Sequence, residues 1–585
     1  MSIALYGRYS KRTIAQAIEN ALPQDGQVHT PIARIDAMPL EVIAAPKQVG
    51  VPAFGKNGIS DVTFAISGMG YTGSDLTASS MTYNSQIDVW EYWVTIDPAD
   101  FASTGRGTIT VTPTATGQDG GTRVLPAHTF ILDKNGVTYL HEAWVTAGGS
   151  DITGAVDDEA HPYATWDQAL TDLESANGGT CDGCVLWVGE DTWTSGTNPA
   201  ATTSSEWLTI AGAAGTTKAN VIVSSLSTRV DTTYLHLKDL RLYNAGGSYV
   251  QGNGTATYVW YDGCDLIGTG VGTGTLTCVQ PRNNWNHWVT DCYFYNANGA
   301  IPGGMLWRNN TFEHISDDPH TNAWVVINSR IDDIGQFGGS NHVDVYQIHT
   351  LSTPGVPSWG AGMASAGEID NVIIYGIYAT NSRYEGIFLR PSAYNGIALV
   401  NSAFVNVFIE ARDPLESTGY GSTQFLGYFD HVLLWHWSLP YRYLHFGDET
   451  DNSSWVDFTN MSIVGCDLWA FRTENSTYAG WFDYGNAKNN VVRKNHYRYA
   501  YDDGYTEPGG NTLTHSPDTD SNSPGIAADN TLTMDLTDNS MYVNFGYPLS
   551  GASTIDGVDY IYVTGDALNN ARDAAPDIGA LEYQA

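Results

Sequence analysis

The residues best suited to chemistry lie between about 325 and 472, and the run 341–349 stands at their centre. In this run His342, Asp344 and Tyr346 alternate with two valines. Successive side chains of a β-strand point to opposite faces, so a strand here would bury the valines and present an acid, an imidazole and a phenol together. The run is a candidate site.

Four later segments have the same mixed character, each after its own apolar run: 383–390, 407–412, 441–445 and 468–472. If the chain coils so that these strands stack, their polar residues form a ladder on one outer face. The predicted ladder places beside the central run His349, Glu385, Phe388, Arg390, Phe408, Glu410, Arg412, Tyr443 and His445. Such a mixture suits a sugar-binding groove, because aromatic faces stack on pyranose rings and charged groups hold hydroxyls or carboxylates.

Two chemistries fit such a groove. A glycoside hydrolase needs one carboxylic acid to protonate the leaving oxygen and a second carboxylate to activate water or attack. Asp344, Glu385 and Glu410 are the predicted carboxylates, with Asp317 and Asp318 in reserve. The three stacked acids favour hydrolysis.

The alternative is a polysaccharide lyase, which removes the proton beside a uronate carboxylate and needs a cation to stabilise the resulting charge. His342, His445 or Tyr346 would be the base, and Arg390 with Arg412, or a bound Ca²⁺, would be the cation.

Between residues 370 and 480 the chain has arginines but no lysine. A cationic strip in an acidic protein predicts an anionic glycan as partner, unless each arginine pairs with a neighbouring acid in a solvated network. A third function class stays open, in which the groove only binds glycan, or binds nothing.

Composition sets the wider limits. The 585 residues carry 63 acidic and 26 basic side chains, a formal charge of −37, and 62 glycines, 34 tyrosines and 18 tryptophans. Such a chain is expected to be mostly β and to form several domains or an elongated repeat. Nucleic-acid binding needs a basic footprint and is excluded. No cofactor is required, although scattered carboxylates could recruit Ca²⁺.

Cysteines and apolar runs predict neither a metal site nor a membrane anchor. Cys181 and Cys184 have the spacing of a zinc half-site, but no second pair accompanies them, and Cys264 and Cys292 fit core positions in adjacent coils. The start lacks the apolar run of a secretory signal, and no membrane-length apolar segment follows. A soluble protein is expected, either released by lysis as virion proteins are, or a mature secreted or cell-surface form.

Four regions are predicted. Residues 1–40, with a helical pattern at 13–22, form an attachment arm or linker. Residues 41–137 hold short alternating runs that resemble an immunoglobulin-like β-sandwich, expected to be a spacer or binding module. Residues 138–515 form the main repeat, and residues 516–585 a β-rich C-terminal extension.

The main repeat begins with a short amphipathic helix at 161–170, and beyond it an Asn or Asp recurs three residues before an inward apolar residue. The pattern occurs at Asp239, Asp291, Asn309, Asn328, Asn401 and Asn460. Its irregular spacing fits coils of similar cross-section with unequal turns, and fits a β-propeller less well. Helix, coils and the closing segment 575–583 resemble right-handed parallel β-helix proteins, in which a helix plugs the open end of the coil.

That resemblance extends to pectate-lyase-like carbohydrate-active proteins and to phage tailspikes. It implies a depolymerase of a bacterial surface or exopolysaccharide, located in a virion tail or surface spike. It also implies a homotrimer whose N-terminal segment contacts other virion proteins. The diagnostic local motifs of pectate and alginate lyases are absent from the sequence.

Overall fold

The structure is a computed structural model that describes residues 28–513 with gaps, together with 554–555 and 558–559. The gaps are residues 57, 194–201, 225–232, 244–257, 269–286, 297–303, 317, 321–322, 335–343, 350–367, 383–384, 391–397, 412–421, 426, 447–455, 460–461, 465–466, 474–490, 494–495 and 501–511. At some strand positions, including all those after residue 437, only the backbone is described.

The N-terminal region is built from short, mostly antiparallel strands. They are β1 (Ile32–Ala33), β2 (Val42–Ile43), β3 (Lys47–Val51), β4 (Ala53–Phe54), β5 (Ile59–Gly68), β6 (Leu76–Ala78), β7 (Thr82–Asn84), β8 (Val89–Ile96), β9 (Arg106–Gly117), β10 (Thr122–Val124) and β11 (His128–Asp133). One sheet has the order β2-β11-β9-β5-β6, with β10 on β9, and a second has the order β3-β8-β7. The alternating runs of the sequence predict β5, β8, β9 and β11 correctly. The immunoglobulin-like assignment stays a prediction.

From Glu142 to Leu513 the described chain forms one α-helix and a single 27-stranded sheet. The helix is α1 (Trp166–Ala176). The strands are β12 (Glu142–Val145), β13 (Val185–Val188), β14 (Asp191–Trp193), β15 (Leu208–Gly212), β16 (Val221–Ser224), β17 (Tyr234–Lys238), β18 (Arg241–Tyr243), β19 (Tyr258–Asp262), β20 (Asp265–Ile267), β21 (His287–Thr290), β22 (Tyr293–Tyr295), β23 (Leu306–Arg308), β24 (Thr311–Ile315), β25 (Val325–Ile334), β26 (Asp344–His349), β27 (Glu368–Asp370), β28 (Ile373–Ser382), β29 (Glu385–Arg390), β30 (Ala398–Ala411), β31 (Ser422–Phe425), β32 (Gly427–Phe446), β33 (Val456–Thr459), β34 (Ser462–Val464), β35 (Asp467–Thr473), β36 (Val491–Arg493), β37 (His496–Ala500) and β38 (Thr512–Leu513).

Strand pairing shows that the chain winds into a parallel β-helix. Strands β13, β15, β17, β19, β21 and β23 pair successively and in parallel, and the strands between them pair likewise from β14 to β24. We call these the first and second sheets. From β25 to β32 one long strand in each coil (β25, β28, β30 and β32) serves both, and β26, β29 and β31 belong to a third. The predicted solenoid is confirmed, and the alternative prediction of a β-propeller is wrong.

The corner between the first and second sheets explains the Asn/Asp repeat. It is formed in successive coils by Asp239, Gly263, Asp291, Asn309, Asn328, Gly376 and Asn406, all at positive φ. Glycine, Asn and Asp tolerate this left-handed conformation best. The residue three places on then enters the core, as Phe294, Phe312 and Ile331 do. Asn401 belongs to a different corner, with Asn371 and His431, and Asn460 lies outside the described residues.

Side-chain amides also join neighbouring coils at the main corner. Asn309 Nδ2 donates to Asp291 Oδ1 at 3.1 Å, and Asn328 Nδ2 donates to Asn309 Oδ1 at 3.1 Å. Inside the coil the apolar residues stack directly, and the rings of Phe294 and Phe312 lie 4.5 Å apart. Polar ladders at the corner and apolar stacks within therefore repeat with the same period.

Helix α1 covers the N-terminal end of this core. Its N-cap Thr165 accepts a hydrogen bond from the Gln168 amide, and Trp166, Leu170 and Leu173 are buried. Trp166 lies 6.0 Å from the ring of Trp193 in the second sheet. The predicted helix is confirmed, about five residues later than expected.

The N-terminal region is not a spacer but packs along the outer side of the first sheet. Arg308 of β23 pairs with Asp36 at 2.6 Å, Arg123 pairs with Asp370 at 2.7 Å, and Tyr375 donates to the Trp90 carbonyl at 2.8 Å. Outward residues of the first sheet, such as Ile327 and Val405, are completely buried. Their burial extends the core outward, which sequence periodicity within either region could not reveal.

Little of the two ends is described. Residues 1–27, including the helical pattern at 13–22, lie outside the described residues. Beyond Leu513 only the antiparallel pair β39 (Thr554–Ile555) and β40 (Val558–Asp559) is described. The domain boundaries at 40, 137 and 515 stay predictions.

Candidate active site

The central predicted run is buried on both faces, since Val345 is buried as predicted and so are its neighbours Asp344 and Tyr346. Tyr346 is completely buried in β26 and donates to the Ala323 carbonyl at 2.7 Å, and Asp344 is also 0% exposed. Tyr346 is paired with the buried Ile387 of the next coil. The prediction that Asp344 and Tyr346 present an acid and a phenol to solvent is therefore wrong. A tyrosine is readily buried when its hydroxyl donates a hydrogen bond to a carbonyl. The alternation of residue types along the run does not tell which face of the strand points to the core.

Strand register brings some residues of the predicted ladder onto neighbouring strands. Asp344 pairs with Glu385 and His349 with Arg390 across β26 and β29. A separate column runs from Gln347 through Phe388, Gln424 and His445 to Arg472. Tyr443 stands in this third sheet beside Ser422.

Phe408 and Glu410 do not join that ladder. They lie in β30, which continues the second sheet, and the rings of Phe408 and Tyr378 stack at 4.7 Å. Aligning coils by the repeated Asn placed them wrongly, because Asn401 and Asn406 mark two different corners.

The structure does not describe the side chains of several predicted residues. His342, Arg412 and Asp317 lie outside the described residues, and the backbone alone is described for His349, Glu385, Phe388, Arg390, Glu410, Tyr443 and His445. Their catalytic or binding roles stay predictions.

The outer face of the second sheet carries two rows of polar and aromatic residues. One row runs Arg241, Asp265, Tyr293, Thr311, Arg330, Tyr378 and Phe408, and the other Tyr243, Ile267, Tyr295, Glu313, Asp332 and Thr380. Parallel strands lie about 4.8 Å apart, so the first row spans about 29 Å. This face can therefore follow an extended polymer along the coil axis.

At its centre two carboxylates stand on neighbouring strands. Glu313 and Asp332 are register partners in β24 and β25, and both are partly exposed. Glu313 Oε2 accepts from the Tyr293 hydroxyl at 2.7 Å. Asp332 Oδ1 accepts from Thr380 Oγ1 at 2.8 Å and from Asn381 Nδ2 at 2.7 Å. These donors fix the two carboxylates in place.

A histidine–aspartate pair flanks the carboxylates. His314 Nδ1 and Asp333 Oδ2 lie 2.5 Å apart, and the His314 side chain is 40% exposed. Both residues are at positive φ, in the corner column that ends the second sheet with Asn296 and Asn381. Asp333 orients the imidazole, because Nδ1–H donation to a carboxylate leaves Nε2 as the acceptor.

Tyr293 serves as a donor rather than an acid. Partial burial raises the pKa of its hydroxyl above the ordinary value, and the hydrogen-bonded Glu313 carboxylate raises it further. Its proton therefore stays available to Glu313 at every pH near neutrality. Together Tyr293, Glu313, His314, Asp332 and Asp333 make the acidic cluster of this face.

The described cysteines are structural. Burial raises the pKa of Cys184 to about 12 and raises that of Cys181 as well, so neither thiol ionises near neutral pH. Among the residues that the structure covers, no group of three or more His, Cys, Asp or Glu side chains is placed to bind a metal. None of the helices in that part of the chain is long and apolar enough to cross a membrane.

Sequence reasoning overlooked the acidic cluster although its signal was present. The residues occur as 311–315 and 330–334, each directly after a repeated Asn. The Asn repeat predicted the inward Phe312 and Ile331 correctly, so their neighbours Glu313 and Asp332 had to point outward on adjacent coils. This alternation of inward and outward side chains would have identified Glu313 and Asp332.

No protein-family model matches this sequence, and no curated protein matches it. Solved structures to which the chain is distantly similar include pectate lyase Pel9A, at 12% identity over 76% of this chain and 96% of that one, with a TM-score of 0.23. The catalytic domain of a GH87 alpha-1,3-glucanase in complex with nigerose is 10% identical over 89% and 96%, with a TM-score of 0.27. The Yersinia enterocolitica Family 28 exopolygalacturonase is 9% identical over 81% and 92%, with a TM-score of 0.26.

Proposed function

We propose that this protein binds a polysaccharide along the outer face of its second sheet and hydrolyses it with Glu313 and Asp332. The observation that carries the proposal is the cross-strand pairing of these two acids, with Tyr293, Thr380 and Asn381 holding them. Side chains on neighbouring strands stand about 5 Å apart, which is close to the separation used by retaining glycosidases.

The two acids differ in their hydrogen bonding. Asp332 accepts two hydrogen bonds through one oxygen, whereas Glu313 accepts one, from the Tyr293 hydroxyl. We assign the more firmly held Asp332 as nucleophile or base and Glu313 as general acid, the two roles that a pair of carboxyl groups divides in glycoside hydrolysis. Asp344 and Glu385 are the alternative pair, but complete burial of Asp344 disfavours its contact with a polymer.

Glu313→Gln and Asp332→Asn test the proposal, with Asp265→Asn as a control on the same face. Each of the first two should fold normally, by circular dichroism, and lose about 100-fold or more in reducing-end release. Asp265 is engaged by Arg241 at 3.1 Å and Lys218 at 2.9 Å, so its variant should lose far less. Full activity in both Glu313→Gln and Asp332→Asn would end the proposal.

A lyase is the second candidate, and the His314–Asp333 pair favours it. An imidazole that a carboxylate orients through Nδ1 can act as a base, and Arg330 lies on the same side of β25 as Asp332. A lyase would release unsaturated, ultraviolet-absorbing products and would lose activity in His314→Gln. Cleavage without new absorbance would exclude it.

The finer assignment is also a proposal. A tailspike-like depolymerase or a purely binding spike, homotrimeric and attached to other virion proteins by its N-terminal segment, is supported only by the resemblance described for the sequence. The predicted anionic partner rests instead on arginines such as Arg390 and Arg412, neither of whose side chains is described, and it is not proposed for the second-sheet face. Light scattering of the purified chain would give the number of subunits, and a monomeric mass would contradict the predicted trimer.

A further inference from the structure

We infer that the glycan held along the second-sheet face is uncharged, an inference that rests on the proposed function because it concerns the same face. The acidic cluster contributes three carboxylates to a short stretch of two neighbouring strands. A polymer of uronates lying there would bring its own carboxylates against Glu313 and Asp332.

Two cations of this face are engaged by a carboxylate of the chain. Arg241 and Lys218 both pair with Asp265. An anionic polymer would have to displace Asp265 to use these groups. That exchange gains little, since one carboxylate only replaces another.

Apart from Arg330 and Ile267, uncharged hydrogen-bonding groups and rings make up the remainder of the two rows. Thr311 and Tyr378 stand on either side of Arg330 in the first row, and Tyr295 and Tyr243 lie in the second. Hydroxyl groups of sugars match such donors and acceptors without a charge to neutralise. The formal charge of −37 on the whole chain disfavours polyanions further at low salt.

The N-terminal region excludes the first sheet as a competing surface over much of its length. Ile327, Tyr375 and Val405 point outward there, and all three are buried beneath it. Of the first two sheets, the second therefore offers the accessible long face in the described part of the coil.

Affinity electrophoresis of the full chain tests the inference. Native gels would contain a neutral glucan or mannan, a polyuronate, or deacetylated chitin, at about 0.02 M and 0.3 M salt, which changes the screening length several-fold. We expect retardation by a neutral polymer that changes less than about twofold between the two salts. Retardation by the polyuronate or by deacetylated chitin alone, or by none of the polymers, would overturn the inference.

The doubly neutralised variant Glu313→Gln/Asp332→Asn makes the test specific to this face. If the cluster repels anions, this variant should bind polyuronate at least threefold more tightly than the native chain at low salt, whereas Asp191→Asn should not. Equal binding would overturn the inference. Neutral binding without cleavage would refute only the proposed hydrolysis, and cleavage of polyuronate would refute only the uncharged substrate.

Discussion

The buried pair between Asp36 and Arg308 is expected to hold the N-terminal region onto the β-helix. The two side chains are 0% and 5% exposed and their charged atoms lie 2.6 Å apart. Burial alone lowers the pKa of Arg308, but the attraction of Asp36, Asp291 and Glu41 outweighs it and raises the pKa. Arg308 therefore stays charged, and Asp36→Asn would leave that charge without its main partner.

The size of the effect follows from this geometry. Removing one partner of a buried ion pair costs about 3 to 5 kcal/mol. Asp291 remains to compensate in part, so the lower value of about 3 kcal/mol is expected, which is more than 100-fold in the docking equilibrium. Hydrogen exchange reports this local opening, because the Asp36 amide donates to the Gly50 carbonyl at 3.0 Å within the docked region. Peptides covering 31–38 should exchange about 100-fold faster in Asp36→Asn.

A matched control and a rescue make the result decisive. Asp158→Asn removes the acid of an exposed pair with His161, whose side chains are 44% and 57% exposed, and should leave exchange unchanged. Asp36→Asn combined with Arg308→Met removes the uncompensated charge and should recover most of the protection. Wild-type exchange in Asp36→Asn alone would refute the docking role of this pair.

Two further predictions concern the coil itself. Burial lowers the pKa of His320 to about 3, and its Nε2 lies 2.9 Å from Ser329 Oγ. A base whose pKa is lower in the folded state destabilises the protein as the pH falls from the unfolded pKa of about 6.5 toward about 3. At about pH 4.5 the free energy of unfolding should therefore be lower by about 2 to 3 kcal/mol. His320→Gln should show a smaller difference between urea midpoints at about pH 7 and 4.5, and an identical difference would contradict the neutral imidazole. Asn309→Ala loses the hydrogen bonds to Asp291 and to the Ile87 carbonyl, which is 2.8 Å away. It also places an alanine, which tolerates the left-handed conformation less well than asparagine, at φ 56°. It should cost about 1 to 3 kcal/mol in urea unfolding. Asn309→Gly, which relieves the backbone strain, should separate that strain from the lost bonds, and unchanged midpoints in both variants would refute the ladder.

The sequence predicted the coil well and the site less well, for one reason. Every inward position, such as Phe294 or Ile331, repeats its chemistry from coil to coil, so the pattern is visible without coordinates. The outward positions differ in each coil. Which of them share a row depends on corner identity, and Asn401 and Asn406 look alike in sequence while marking different corners.

By itself the sequence determined that the chain is mostly β, that it winds as a solenoid with Asn and Asp at its corners, and that a helix precedes the coils. These are local properties, set by side-chain periodicity and by the few residue types that accept a positive φ. Only the tertiary structure decided that Tyr346 faces the core, that the N-terminal region lies along the first sheet, and that Tyr293 and Thr380 donate to Glu313 and Asp332. Each of these depends on register between segments far apart in the chain, which is set by the packing of whole coils.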